Sequence, residues 1–244
     1  MTPSRKTPAK KGASRGAKGA AGTAYFSRET FRFIRELGKN NDREWFAANK
    51  ARYEEHVKDA ALRLIADFAP ELAQISPHFM ATPRSLFRIY RDTRFSKDKS
   101  PYKTHVGVHF RHDRSKDAHA PGYYLHVEPG GVFLGAGIWH PDASALQRIR
   151  QRIVEEPAAW KRASRAKAFT GTFEMAGDRL KRPPKGFDPD HPLIDDLKWK
   201  DYIGLAEMDD SFVTKSDLPK QLTKSFKAGT PFMRFLCDAL NVPF

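Results

Sequence analysis

GYYLHVEPGGVFLGAGIW, residues 122–139, decides the fold class. Two β-rich runs, 122–128 and 132–139, flank Glu128-Pro129-Gly130-Gly131, a tight connection of the kind that joins antiparallel strands. Alternation along the first run places Tyr124, His126 and Glu128 on one face and Tyr123, Leu125 and Val127 on the other. Upstream, 104–110 (THVGVHF) alternates too, with His105 and His109 sharing a face opposite Thr104, Val106, Val108 and Phe110. The run 86–90 (LFRIY) reads as a further strand. These segments predict a mostly antiparallel central sheet over about residues 86–139. If the polar faces coincide, one side of that sheet carries imidazoles, a phenol and a carboxylate. Gly135 and Gly137 would leave room above it, as the floor of a cleft does.

Helical periodicity flanks the sheet. Ser27 reads as a cap for a helix bearing Phe31, Ile34 and Leu37, with Gly38 as its stop. Asn41 with Glu44 reads as a capping box opening a second helix, along which Trp45, Phe46, Tyr53, Val57, Ala61, Leu64, Ile65 and Phe68 recur at helical spacing. Pro70 marks a break or a new first turn, and Pro77 closes the region. Beyond the sheet, Asp142 suits an N-cap ahead of Leu146, Ile149, Ile153 and Val154, and Pro157 interrupts that helix. Residues 177–200 read as an extended loop leading to a short helix, and 218–240 as a helix pair around Gly229-Thr230-Pro231. The expected class is therefore α+β, with N- and C-terminal helices covering the sheet in one domain spanning 25–244.

Hydrophobic residues make up 40% of the 244, enough for a packed core. No apolar run reaches the roughly 18–20 residues that cross a bilayer, and the N-terminus lacks the apolar stretch of a secretory signal. With Cys237 the only cysteine, an internal disulfide and a cysteine-based zinc site are excluded, and a reducing cytoplasm is the expected location. The net charge is +14, of which the first 24 residues hold six Lys or Arg and no acid. That segment reads as a disordered basic tail, either a solubilising extension or an electrostatic arm for nucleic acid. The remainder keeps 37 basic residues against 29 acidic, a balance of +8 that attracts phosphate polymers and other anions.

Charge concentrates in RIYRDTRFSKDKSPYKTH, residues 88–105, which links two expected strands. Arg88, Arg91 and Arg94 could grip phosphate or carboxylate oxygens in pairs, as guanidinium groups do. Lys99 would add charge and Tyr102 a hydrogen bond or a stacking face. Asp92 could orient the clamp, and Asp98 could act on a proton or a metal. His126 and Glu128 stand nearest to acid–base work if a reaction occurs. Alternatively, Asp92 and Asp98 pair with neighbouring arginines and simply brace a long loop. No metal is expected: His105 and His109 lie four strand residues apart, about 13 Å, and cannot share one ion. A site from His126, Glu128 and either other histidine stays open. Asp188, Asp190 and His191 could form a proton-transfer or metal cluster, although turn chemistry alone explains them, and Cys237 reads as packing. No P-loop, dinucleotide fingerprint, HExxH or GxSxG occurs, so no cofactor is named.

The pattern Arg88-x-x-Arg91-Asp92-x-Arg94-Phe95-x-x-Asp98-Lys99-x-x-Tyr102 resembles the signature of a mainly bacterial family, domain of unknown function 2461. The resemblance extends through NNDREWFAANKARY (40–53), PGYYLHVEPGG (121–131), GAGIWHP (135–141) and LKRPPKGFDPDHP (180–192). It implies that the loop matters to more than one protein, without naming an activity. Three functions follow as expectations. The first is a pocket for a phosphorylated or otherwise anionic small molecule. The second is nucleic-acid association through body and tail. The third is a ligand-free adaptor with a salt-bridged loop.

Overall fold

Residues 24–114 and 121–244 are described by a computed structural model of the chain. Among them a six-stranded antiparallel sheet runs β1 (Phe79–Met80), β2 (Val106–His112), β3 (Gly122–Val127), β4 (Val132–Ile138), β6 (Tyr202–Met208) and β5 (Glu174–Ala176) in spatial order. The β3–β4 hairpin closes as the sequence implies: Gly131 N–H donates to the Glu128 carbonyl at 3.0 Å, and Gly130 takes φ +75°.

Register aligns each face across strands. Val108 faces Leu125, Leu125 faces Leu134 and Leu134 faces Ala206, a wholly buried row under the helices. One residue along, His109, Tyr124, Gly135 and Leu205 form the matching row on the opposite face. A period of two therefore separates the core from the cleft.

The helices are α1 (Arg28–Lys39), α2 (Arg43–Ala48), α3 (Lys50–Tyr53), α4 (Asp59–Ile75), α5 (Ala143–Glu155), α6 (Pro157–Ser164), α7 (Lys167–Thr170), α8 (Ile194–Leu197), α9 (Asp210–Val213), α10 (Leu218–Ala228) and α11 (Thr230–Ala239). Phe68 of α4 meets Phe110 at 5.0 Å, and Phe226 of α10 meets Tyr123 at 4.6 Å, so aromatic rings join both helical blocks to the sheet. The class is α+β, and no helix among the described residues is long and apolar enough to cross a membrane.

Several local expectations are corrected. Residues 86–90 are not a full strand: Leu86 bridges Val108, and Tyr90 bridges Tyr102 in the same excursion of chain. The segment folds back on itself through Arg91 N–H to Pro101 carbonyl (2.9 Å) and Lys103 N–H to Ile89 carbonyl (2.7 Å), while Pro101 has no N–H with which to extend a ladder. The sheet also reaches beyond residue 139 to β5 and β6. The α1 helix runs through Gly38 to a cap at Asn40, and Asp42 rather than Asn41 caps α2, accepting from Trp45 N–H at 2.8 Å. Pro70 sits inside α4, which follows a π-helical turn, Glu54–Lys58. Asp142 caps α5 as expected. The expected tail, 1–24, lies outside the described residues except for Ala24.

Candidate functional site

The arginine loop is braced by its own acids. Arg91 donates to Asp98 and, at 2.6 Å, to the Ser100 hydroxyl. Both Nε and Nη2 of Arg94 donate to Asp92, at 3.0 and 2.7 Å. These partners hold Asp92 at about pKa 2, chiefly through the Arg94 side chain, and push Asp98 further down, chiefly through Arg91. Neither carboxylate is thereby suited to accept a proton near neutrality. Lys99 Nζ donates to the Thr93 carbonyl at 2.9 Å.

Tyr102 is the loop's buried anchor. Its ring is 5% exposed and stacks on Phe46 at 4.0 Å, while Asn41 accepts from its N–H and donates to its carbonyl. Tyr102 therefore packs against the core, and two of the three arginines, Arg91 and Arg94, have acidic partners within the loop. Arg88 keeps an exposed side chain with no acidic partner among the described residues.

At the base of this excursion the chain covers one side of a cleft of about 510 Å³ on the sheet face opposite the core. Its floor is Gly135 and Gly137 of β4. Gly137 takes φ +135°, and any side chain there would run into the Tyr202 carbonyl, so only glycine fits. Phe87, Phe133, Trp139, Ile203 and Leu205 supply apolar walls. Lys103 lines the rim with its ammonium over the Phe87 ring (5.4 Å), donating to the Arg88 carbonyl at 2.8 Å. Burial, with the Arg88 charge nearby, lowers the Lys103 pKa.

The polar faces of β2 and β3 coincide as the alternation implies. Tyr124 Oη lies 3.2 Å from His126 Nδ1, and His126 Nε2 lies 3.2 Å from Glu128 Oε2. A phenol donating to Nδ1 and an Nε2–H donating to the carboxylate satisfy all three groups, with the ring neutral. Burial pushes Tyr124 up to about 12 and lowers His126, the latter against the pull of Glu128. His105 stacks on His126 with ring centroids 4.4 Å apart, and burial beside His126 takes it to about 4. Donor atoms of His105, His126 and Glu128 all lie within 4.8 Å of one another. His109, farther along β2, is separate from that cluster, and its Nδ1 is buried without a partner.

The cleft thus combines His126, singled out in the sequence, with walls that were not, Phe87, Phe133, Ile203 and Leu205, and Glu128 adjoins it through His126. Alternation exposed His126 and Glu128. The β6 residues carried no local signal, because their place depends on pairing with β4 some 70 residues away. Elsewhere, Asp188 accepts from Asp190 N–H and His191 Nδ1 accepts from Leu193 N–H, as turn residues do, and Cys237 is buried in the core.

The model of a family described as conserved hypothetical protein (DUF2461) matches residues 29–235, and the chain belongs to that family. No curated protein matches it.

Proposed function

We propose that this protein binds a small organic anion in the sheet-face cleft. The apolar part of the ligand would lie over Gly135 between Phe87, Phe133 and Leu205, and its phosphate or carboxylate would reach Lys103 and Arg88. The observation that carries this reading is the cleft itself, a half-enclosed apolar volume with one half-buried cation at its rim. Lys103 and Arg88 repel each other, and an anion between them would relieve that repulsion. Arg91 and Arg94, already neutralised by Asp98 and Asp92, are support for the loop in this account. His126, held between Tyr124 and Glu128, would be the group to exchange a proton with a bound ligand.

The test is a thermal-shift screen of phosphorylated and carboxylated small molecules, followed by calorimetry of the hits. Lys103→Ala is expected to weaken binding about 10- to 100-fold, the worth of one charge-assisted hydrogen bond. Gly135→Val, whose Cβ finds only an ordinary contact with Tyr124, should fill the floor and abolish binding. Arg94→Ala should bind like the unaltered protein. Hits lost in Arg94→Ala but kept in both cleft variants would move the site to the loop and overturn the proposal.

A further inference from the structure

We propose that His105, His126 and Glu128 form a binding site for a divalent transition metal of the zinc type at the histidine-lined end of the cleft. Its use rests on the cleft reading, but metal binding itself does not. His126 lies in β3, His105 immediately precedes β2 and Glu128 immediately follows β3, and the register of the two strands brings them together. Gly107 pairs with His126 and Val106 with Val127, so His105 continues the ladder opposite Glu128.

Their donor atoms already lie within 4.8 Å of one another. Ligands about 2.0–2.2 Å from a tetrahedral zinc sit roughly 3.4 Å apart, so side-chain rotation suffices to close the site. Two imidazoles and one carboxylate leave a coordination position for water or ligand. His105 makes no hydrogen bond among the described residues, which leaves its ring nitrogens available to ligate. Tyr124 supplies the outer support. With Nε2 of His126 on a metal, its proton moves to Nδ1, which then donates to the phenol oxygen 3.2 Å away. Lys103 and Arg91 oppose the cation electrostatically, and Glu128 offsets them locally.

A second cluster, His78, His112 and Asp113, provides an internal comparison. There His112 uses Nε2 on the Pro243 carbonyl (2.7 Å) and Nδ1 as acceptor for Arg114 N–H (3.1 Å), so its ring is already committed.

The test uses full-length protein stripped by chelator. Zn²⁺ is titrated by calorimetry and Co²⁺ by visible absorption, with near-ultraviolet circular dichroism confirming that each variant is folded. One equivalent should bind, with Co²⁺ bands of a four- or five-coordinate site. His105→Ala and Glu128→Gln should each weaken binding by on the order of 100-fold, and Tyr124→Phe by roughly 10-fold. His105→Asn replaces His105→Ala if the latter unfolds. His78→Ala should leave the titration unchanged. Lys103→Ala should retain the metal while losing the organic anion, which separates failure of this proposal from failure of the cleft reading. Absence of stoichiometric binding to the folded protein overturns the site. So does binding that survives both ligand variants or disappears in His78→Ala.

Discussion

His109 shows what a single buried imidazole costs. It is 8% exposed, its Nδ1 meets no partner, and Phe87 and Tyr124 stand around its ring at 6.0 and 6.3 Å. Burial, with Arg111 adding repulsion, takes its pKa to about 4 from an ordinary 6.5. Because the folded pKa is the lower one, the unfolded chain takes up the proton first as pH falls. Stability is unaffected above about 6.5, declines between 6.5 and 4, and declines no further below that. The expected loss from this residue is about 2 kcal/mol at pH 5. Asp92 and Asp98 have depressed pKa values, so their contribution is present above about 4 and is lost below it, in a separate window. Urea unfolding at pH 7.5 and pH 5.0 checks this: His109→Leu should make the decline smaller by about 2 kcal/mol, His105 contributing a similar loss in the same window, and equal declines in both proteins would refute the assignment. Alternation of THVGVHF was enough to put His109 on the polar face, but the absence of a partner depends on what Phe87 and Gly122 place around it.

The excursion from Leu86 to Lys103 poses the same kind of question for an element: which contacts hold it in place? Its ion pairs are exposed, and exposed pairs contribute about 0–1 kcal/mol each. Tyr102 by contrast stacks on Phe46 within the core and is tied by its backbone to Asn41. Asp92→Ala and Asp98→Ala are therefore expected to leave unfolding free energy nearly unchanged, and Tyr102→Ala to lower it by about 3–5 kcal/mol. Chemical denaturation of the three variants decides it, and a larger loss from either aspartate would make the charges the principal brace. The charges of this loop were plain in the sequence, as were the glycine hairpin and the helix pair around Pro231. Their pairing was not, because Arg91 could equally have faced a ligand until Asp98 and Ser100 were seen beside it. The strand β6 escaped notice for another reason. Beside Tyr202, Gly204 and Ala206 face the core with small side chains where a β-branched pattern would have been visible, and Gly204 leaves room for Phe169.

Across the whole molecule the unresolved issue is what the excess of positive charge attracts. The six basic residues of the first 24 and the +8 of the remainder are physically different, since many body cations already face acids, as in Arg52–Glu36, Arg165–Asp196 and Lys198–Asp195. A cation neutralised within the protein releases few counterions on meeting a polyphosphate, so it adds little to the salt dependence of binding. A small-anion cleft consequently predicts weak association of a shortened chain beginning at Ala24 with oligonucleotides, varying little with salt. The full chain could add a slope in log K against log salt of at most about 4–5, from six cations at roughly 0.7–0.9 each. Fluorescence anisotropy with labelled single- and double-stranded oligonucleotides over a salt series measures both chains. A steep slope retained by the shortened chain would place nucleic acid on the body, with Arg88, Lys97 and the 95% exposed Phe95 as the surface to alter first. A slope confined to the full chain would assign the attraction to the first two dozen residues and leave the cleft to a small ligand.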